Sequence, residues 1–378
     1  MKILIAGGGI GGLTAAIALS KAGHHVTLAE RAQKFSPIGA GIIMAPNAAR
    51  VLGSLGVDLA SRGHPLPFLD VLDPKGRVLQ RLETGQYEKR WGPTYALTRP
   101  ALTEALTAAL PGTVELRLGF ELSALKDHGH DVEVNLTGEN TSRRVDLVIG
   151  ADGLNSATRR LLVGEWPQRY SGVTCWRGLV PNPGFTGALE VWGGAARVGL
   201  VPLRDGQLYY FLVLTAARRA PALSWPEGFH AAFAGLGPTV AKLFEVMKGS
   251  PPLHHDLDEL EAPTWGRGRV ILLGDAAHAM TPNQGQGAAM AIEDAFVLSR
   301  ELAAGLEGGL ERYRSARQPR VRQVQLDSRR LGQVAHWGNP LVQTLRNTAM
   351  RLLPASVGEK QYLRVIEPGV ALLRQEHS

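Results

Sequence analysis

The chain has 378 residues, of which 44% are hydrophobic and 20% charged, and a net charge of +7. That length allows two or three domains with buried cores, and the composition excludes a largely disordered chain. A single cysteine, Cys175, excludes internal disulfides and cysteine-based metal clusters and suits a reducing, cytoplasmic setting.

Lys2 to Ala6 reads as a short apolar strand, Leu13 to Lys21 as an Ala/Leu/Ile helix ended by Gly23, and His25 to Glu30 as a second strand. The glycines between them interrupt the continuous apolar helix that a signal peptide needs. Gly39-Ala-Gly-Ile then precedes a helix near Asn47 to Leu55. Short strands flank the turn Asp73-Pro-Lys-Gly between Pro65 and Arg81, and Arg99 to Leu110 is a helix with Pro100 near its start. Val114 to Leu125 and Val132 to Leu136 read as paired strands. Val145 to Gly150 is apolar throughout, as in a strand buried on both faces.

The pattern then changes. Val173 to Val180, Ala188 to Trp192, Ala196 to Pro202 and Gln207 to Leu214 read as an antiparallel layer. A helical stretch spans Gly228 to Met247, a buried strand returns at Arg269 to Leu273, and a helix runs from Gly287 to Glu301. No stretch of about 18 apolar residues predicts a membrane span. Arg312, Arg314, Arg317, Arg320, Arg322, Arg329 and Arg330 crowd the last third without a nucleic-acid-binding pattern, which predicts a solvated basic helix face. No metal site is expected, because His24–His25 and His254–His255 lack a ligand set.

Gly7-Gly-Gly9-Ile-Gly-Gly12 fits G-x-G-x-x-G between a strand and a helix. Gly7 serves the turn, Gly9 admits a pyrophosphate, and Gly12 permits close packing. Glu30, ending the next strand, suits a ribose hydroxyl. The fold class is therefore α/β: a Rossmann-type dinucleotide-binding domain interleaved with an antiparallel sheet domain and followed by C-terminal helices. The expected division is 1–70, 95–170 and 262–325 for the dinucleotide, 71–94 and 171–261 for the substrate, and 326–378 for the C-terminal helices. A ligand cleft is expected between the two domains.

Two more motifs follow buried strands: Gly150-Ala-Asp152-Gly153-Leu-Asn-Ser156-Ala-Thr-Arg159, and Gly274-Asp275-Ala-Ala-His278 leading through Pro282 to Gly285-Gln-Gly287. With the first glycine motif, in this order, the chain resembles the class A flavoprotein monooxygenases over roughly residues 1–325. The resemblance implies FAD held by Gly7, Gly9, Gly12, Glu30, Arg31, Arg99, Leu122, Asp152, Gly153, Asp275, Pro282, Gly285 and Gly287, with Asp275 on the ribityl chain and Asn283 beside the ring. Asp152 and Gly153 would also serve transient NADH or NADPH, and a basic surface could draw in anionic substrate or that nucleotide. Asp152 as a helix cap and Arg159 as a surface charge are the plain alternatives. The N-terminus of the helix at Gly287 suits the negative charge of reduced flavin.

Trp176, Arg197 and Tyr209 lie on the inserted strands expected to hold the substrate. The segment from Arg197 to Tyr209 resembles one in bacterial FAD-dependent urate hydroxylases, where Arg and Tyr at this spacing serve binding and catalysis. Cys175 stands where those enzymes carry a substrate-binding Asn, which argues against urate. Packed sheet residues are the plain alternative. His278 is expected to fix its loop rather than act as a base, and Glu293 and Asp294, adjacent on a helix, are expected to point apart without acid–base roles. The implied reaction is hydroxylation of a small electron-rich aromatic or heteroaromatic ring through a flavin C4a-hydroperoxide, with O₂ and NAD(P)H consumed by a monomer or homodimer. The thioredoxin-like third domain of larger phenol hydroxylases is not expected. A reductase or dehydrogenase of the same fold is the alternative; a halogenase lacks its W-x-W-x-I-P segment, and a non-catalytic escort protein fits poorly with intact cofactor motifs.

Overall fold

The computed structural model describes residues 1–35, 40–247 and 252–377, so Gly39 of the expected glycine-rich segment lies outside the described residues. Its central sheet runs in the order Gly266–Arg267, Val270–Leu272, Leu147–Gly150, Lys2–Ala6, His25–Glu30, Glu115–Leu118, parallel except at the first pair. Alternation along each strand divides the two faces. Ile3, Ile5, Leu147 and Ile149 pack under the helices Ile10–Lys21 and Gly287–Leu302, whereas Leu4, Ala6, Val148 and Val270 pack on a three-stranded layer carrying Leu122, Val132 and Val134. Both faces are covered, which explains the unbroken apolar runs. The first helix lies close to the second because Gly11 has no side chain: a β-carbon there would sit 2.8 Å from Leu273 Cδ1 and 3.1 Å from Ala291 Cβ.

The single strand expected from Val114 to Leu125 is two strands in two sheets. Glu115–Leu118 extends the parallel sheet and Leu122–Asp127 pairs with Val132–Leu136. Gly119, at φ +83°, makes the turn that separates them.

The second large sheet has the order Leu253–Glu259, Arg169–Pro181, Gln207–Thr215, Ala196–Pro202, Ala188–Gly193, Leu69–Leu72, Val78–Leu82. It is antiparallel except that Ala188–Gly193 runs parallel to Leu69–Leu72, a segment arriving from the other domain's side of the chain. Leu253–Glu259, in sequence Leu-His-His-Asp-Leu-Asp-Glu, was hidden by its polarity. The expected helix from Gly228 to Met247 is two, Glu227–Phe233 and Gly237–Val246, joined by a 3₁₀ turn.

Register assigns the faces of this sheet. Trp176, Val198, Leu200, Tyr210 and Leu212 point to the helices, where Trp176 meets Phe229 edge-on at 5.3 Å and stacks on His254 at 4.7 Å. Buried aromatic side chains of this kind stabilise by about 1.5–3 kcal/mol each. Cys175, Arg177, Arg197, Gly199, Tyr209, Phe211 and Val213 occupy the opposite face, toward the dinucleotide fold. Trp176 is therefore part of the helical core, not of the substrate side, because its neighbours Cys175 and Arg177 take that face.

The helices Leu306–Ala335, Pro340–Leu352 and Ala355–Ala371 complete the chain. The basic face expected on the first is only partly solvated: Arg317 is 3% exposed, and Arg320 and Arg329 reach inward to Glu293 and Glu259. Among the described residues, no helix is long and apolar enough to cross a membrane.

Candidate active site

The first glycine motif folds as a turn between strand and helix. Gly7 has φ +106°, and a β-carbon there would collide with Ala151 O at 2.4 Å. A β-carbon at Gly12 would lie 1.9 Å from Gly7 O, so both glycines close the turn. Gly9 differs: its β-carbon would meet nothing within 4 Å. Gly9 caps the helix Ile10–Lys21 without a side-chain acceptor, and the first intrahelical bond runs from Leu13 N to Gly9 O. The amide groups of the first turn therefore face open space, as a phosphate requires. Glu30 accepts from Gly8 N at 2.7 Å and Ala32 N at 2.9 Å, fixing its carboxylate at the rim. Arg31 is exposed beside it. Arg99 is also exposed, while its backbone N–H donates to Ala40 O at the edge of the Gly41–Met44 strand.

Asp275 starts a short helix after the buried strand Val270–Leu272. It is exposed and has no side-chain partner among the described residues. Everything around it is tied down. His278 Nε2 and Asp294 Oδ2 are 2.6 Å apart, Gly274 N donates to Asp294, and Arg317 donates to Asp294 and Glu293, each at 2.7 Å. Burial alone would raise the Asp294 carboxyl, but His278 and Arg317 hold it below its ordinary range. His278 thus fixes the loop, as expected. Glu293 and Asp294 do not point apart: adjacent helical positions diverge by about 100°, yet the long fork of Arg317 reaches both carboxylates.

Asp152 spends its carboxylate within its own loop. It accepts from Ser156 Oγ and, at 2.8 and 2.9 Å, from Thr158 N and Oγ1, while Ser156 caps the following helix. Arg159 is not a surface charge. It is 3% exposed and donates to Leu154 O and Ala276 O, joining the Asp152 loop to the Asp275 loop. Leu122 has its side chain in the core under the central sheet, so only its backbone remains for a ligand. Gly153 and Gly285 have open space where a side chain would be, Pro282 is exposed, and the helix at Gly287 starts without a side-chain cap.

Over this groove hangs the polar face of the second sheet. Arg197 is 2% exposed. Its Nη2 donates to Asn283 Oδ1 at 2.7 Å, Glu190 lies 3.5 Å from Nη1, and Nε and Nη1 lack hydrogen-bond partners among the described residues. Asn283 is held in turn by Thr281 Oγ1 and Ser328 O. Tyr209 stands four residues along the register from Arg197, about 13 Å away at strand rise. Phe211 lies between them, over Gly199, where a β-carbon would come within 1.9 Å of its ring. Burial pushes the Tyr209 phenol up to about 12, so it is a neutral donor. Its ring packs on Gly41, where a β-carbon would intrude to 2.4 Å. Cys175 sits on this face in a cluster with Val173, Val213, Phe211 and Leu257, and its Sγ accepts from Arg177 Nε at 3.3 Å.

His336, which carries no motif and went unnoticed in the sequence, completes the wall. Its Nδ1 is 3.2 Å from Thr215 Oγ1, Nε2 is buried without a hydrogen bond, and burial together with Arg197 pushes its pKa down to about 4. Two surface concavities of about 460 and 390 Å³, one at Trp166, Arg169 and Arg329 and one at His64, Thr84 and Thr94, lie away from this groove. The chemistry follows the polar groups rather than those hollows.

The groove suits FAD on observations internal to the chain: free amides at two helix starts, open space at Gly9, Gly153 and Gly285, and an unpartnered Asp275 between them. The comparisons agree. Residues 1–328 match the FAD binding domain family model. The chain is 37% identical, over 97% of both chains, to 2-heptyl-3-hydroxy-4(1H)-quinolone synthase of Pseudomonas aeruginosa. It is 35% identical, over 93% of this chain and 94% of the other, to aurachin C monooxygenase/isomerase of Stigmatella aurantiaca. Its fold matches Klebsiella pneumoniae HpxO complexed with FAD and uric acid at a TM-score of 0.87 and 26% identity, covering 98% and 97% of the two chains. With cofactor groove and relatives in accord, the chain belongs to the FAD binding domain family and is a class A FAD-dependent aromatic monooxygenase.

Proposed function

We propose that this monooxygenase hydroxylates an electron-rich bicyclic nitrogen heterocycle bearing an apolar substituent, a 2-alkyl-4(1H)-quinolone in preference to a purine. The observation that carries this reading is the division of one sheet face into an apolar part, where Cys175 clusters with Val173, Val213, Phe211 and Leu257, and a polar part made by Arg177, Arg197 and Tyr209. A purine presents hydrogen-bonding groups around its whole rim and would leave several unmet there, at about 1–3 kcal/mol each. A quinolone presents a polar edge and an apolar edge, and this face has both. Identity to a quinolone synthase over nearly the whole chain supports the same choice.

Bound FAD would carry two electrons from NAD(P)H to O₂, so that one oxygen atom of O₂ enters the ring and the other leaves as water. The chain's own residues do the rest. Gly7, Gly9, Gly12, Glu30, Arg31 and Arg99 would hold the adenosine and phosphate end, and Asp275, Pro282, Gly285 and Gly287 the ribityl and ring end. Asp152 and Gly153 would serve through backbone, with Leu122 likewise. The helix start at Gly287, which has no side-chain cap, would lie against negative charge on the reduced ring. Arg197 would donate its unpartnered N–H groups to the substrate's carbonyl oxygen, and Tyr209 to its polar edge. This assignment carries the division into cofactor segments 1–70, 95–170 and 262–325 and substrate segments 71–94 and 171–261, and a cytoplasmic setting in which NADH or NADPH is supplied.

The test is turnover of 2-heptyl-4(1H)-quinolone, urate and simple phenols with each nicotinamide donor, read by donor consumption and product mass together. The quinolone should yield a product one oxygen heavier with donor use close to product formed. Coupled turnover of urate with none of the quinolone refutes the assignment.

A further inference from the structure

The helix Pro340–Leu352 carries the most exposed large apolar side chains of the described residues. Leu341, Leu345 and Leu352 are 77%, 71% and 78% exposed. At about 100° per residue they fall within roughly 40° of one another, a single stripe. Trp337, Val342, Leu353 and Val357, all exposed, extend it at both ends. Scattered exposed leucines need no explanation, but a continuous stripe does.

Charge narrows what covers the stripe. Residues 328–358 contain no Asp or Glu, whereas Arg329, Arg330, Arg346 and Arg351 fall within them. Arg351, beside Leu352 in sequence, is exposed, as are Lys360 and Arg364, which follow Val357 at helical spacings of three and seven residues. The first acid beyond, Glu359, accepts from Gln86 on the body of the protein. The other side of the helix is firmly seated. Arg346 donates to Val334 O and Ala335 O and lies 5.5 Å from the Trp192 ring, and Gln343 fills the space above Gly194. The helix is therefore anchored inward by one face and presents leucines rimmed by cations on the other.

We propose that this helix lies in the surface of an anionic lipid bilayer, with Leu341, Leu345 and Leu352 among the acyl chains and Arg351, Lys360 and Arg364 at the headgroups. Amphipathic helices with this division bind interfaces through buried apolar area plus attraction to anionic lipid. Trp337 is the residue type that favours the headgroup boundary. A second copy of the chain fits less well, since a two-fold contact through this patch would set Arg351, Lys360 and Arg364 against their own images. The helix is one side-chain layer from the site: Trp192, under Arg346, donates to Glu190, the ion partner of Arg197. Docking would bring the substrate face to a bilayer in which an alkylated ring dissolves. That consequence rests on the proposed substrate class; the docking does not.

The experiment is co-sedimentation of the full FAD-loaded protein with vesicles of equal parts phosphatidylglycerol and phosphatidylcholine, against vesicles of phosphatidylcholine alone. The parent should partition at least about 10-fold more strongly onto the anionic vesicles and lose much of that binding in high salt. The triple variant Leu341→Gln, Leu345→Gln, Leu352→Gln should bind at least about 10-fold more weakly, with melting temperature and flavin absorbance unchanged. Failure of the parent to bind anionic vesicles, or undiminished binding by the triple variant, overturns the proposal. So does light scattering that shows a parent dimer dissociated by the triple variant, which would assign the stripe to a second copy. None of these readouts requires turnover, so an error in the assigned substrate leaves them intact.

Discussion

Two buried arginines mark two regions that differ in kind. Beneath the Asp275 loop, Arg317 is 3% exposed and meets Asp294 and Glu293 at 2.7 Å each, with Asn47 and Arg320 completing the Glu293 side. On the substrate face, Arg197 is 2% exposed but has two nitrogens without hydrogen bonds. The first guanidinium has a partner for each nitrogen and holds a loop in place. The second has Glu190 as ion partner and Asn283 as acceptor but leaves two nitrogens without a hydrogen bond, which is costly unless a ligand joins them. Hydrogen bonding of the two guanidinium groups, rather than their burial, thus separates them: every Arg317 nitrogen has a partner and, among the described residues, two of Arg197 do not.

The hardest test of this contrast is Arg317→Met. It removes the charge partner shared by two buried carboxylates, leaving Glu293 with Asn47 and Arg320 and Asp294 with His278, and should destabilise the chain by about 3–5 kcal/mol in urea unfolding. A loss below about 1 kcal/mol would mean that the network is not the scaffold described. Arg197→Met should do the reverse. Stability should fall by only about 1–2 kcal/mol, because the Asn283 hydrogen bond and the contact with part-exposed Glu190 are lost while two unbonded nitrogens leave with the side chain, and kcat/KM should fall roughly 10–100-fold, the worth of a charge-assisted hydrogen bond. Equal stability losses for the two variants would erase the distinction.

The cofactor side of this molecule was readable in the sequence because backbone geometry dictates it. Gly7 and Gly12 are required by contacts under 2.5 Å, and only a few residue types can follow a buried strand there. Face assignment also follows from alternation once the strand is known: Arg197 and Tyr209 share a face because their antiparallel partners are in phase. Trp176 shows the limit, since its strand was expected to hold the substrate while its parity placed its ring in the helical core. Partners that meet across long separations left no local trace. Arg317 with Asp294, Arg159 with Ala276 O, and His336 with Thr215 come together only when helices and sheet are docked. The split of the chain at Gly119 was missed because the apolar residues on both sides continue one pattern across it.

A smaller effect separates the regions by pH. His336, beside Arg197, has its pKa depressed from 6.5 to about 4. Above pH 6.5 the ring is neutral whether the chain is folded or unfolded. As pH falls below that, the unfolded chain takes up the proton first, so stability is lost progressively down to about pH 4. On the order of 1–2 kcal/mol should be lost, allowing for partial solvent screening. The loss should vanish in His336→Gln, and a chain whose acid sensitivity is the same with and without His336 would place its ring outside the electrostatic reach of Arg197.

The finest distinction concerns Tyr209, which shares the open face but is sealed against Gly41. With its phenol held near 12, it is protonated throughout the range in which the enzyme can be assayed. It can orient a substrate by donating a hydrogen bond and cannot take a proton from it. Tyr209→Phe should therefore lower kcat/KM by roughly 3–10-fold, the net worth of one neutral hydrogen bond. The shape of the pH profile should stay the same, because the removed group does not titrate there. Loss of a basic limb from the kcat/KM profile in Tyr209→Phe would show a phenolate at work, and the Tyr209 end of the sheet face would then have to be open to solvent or to a cation strong enough to undo the effect of burial.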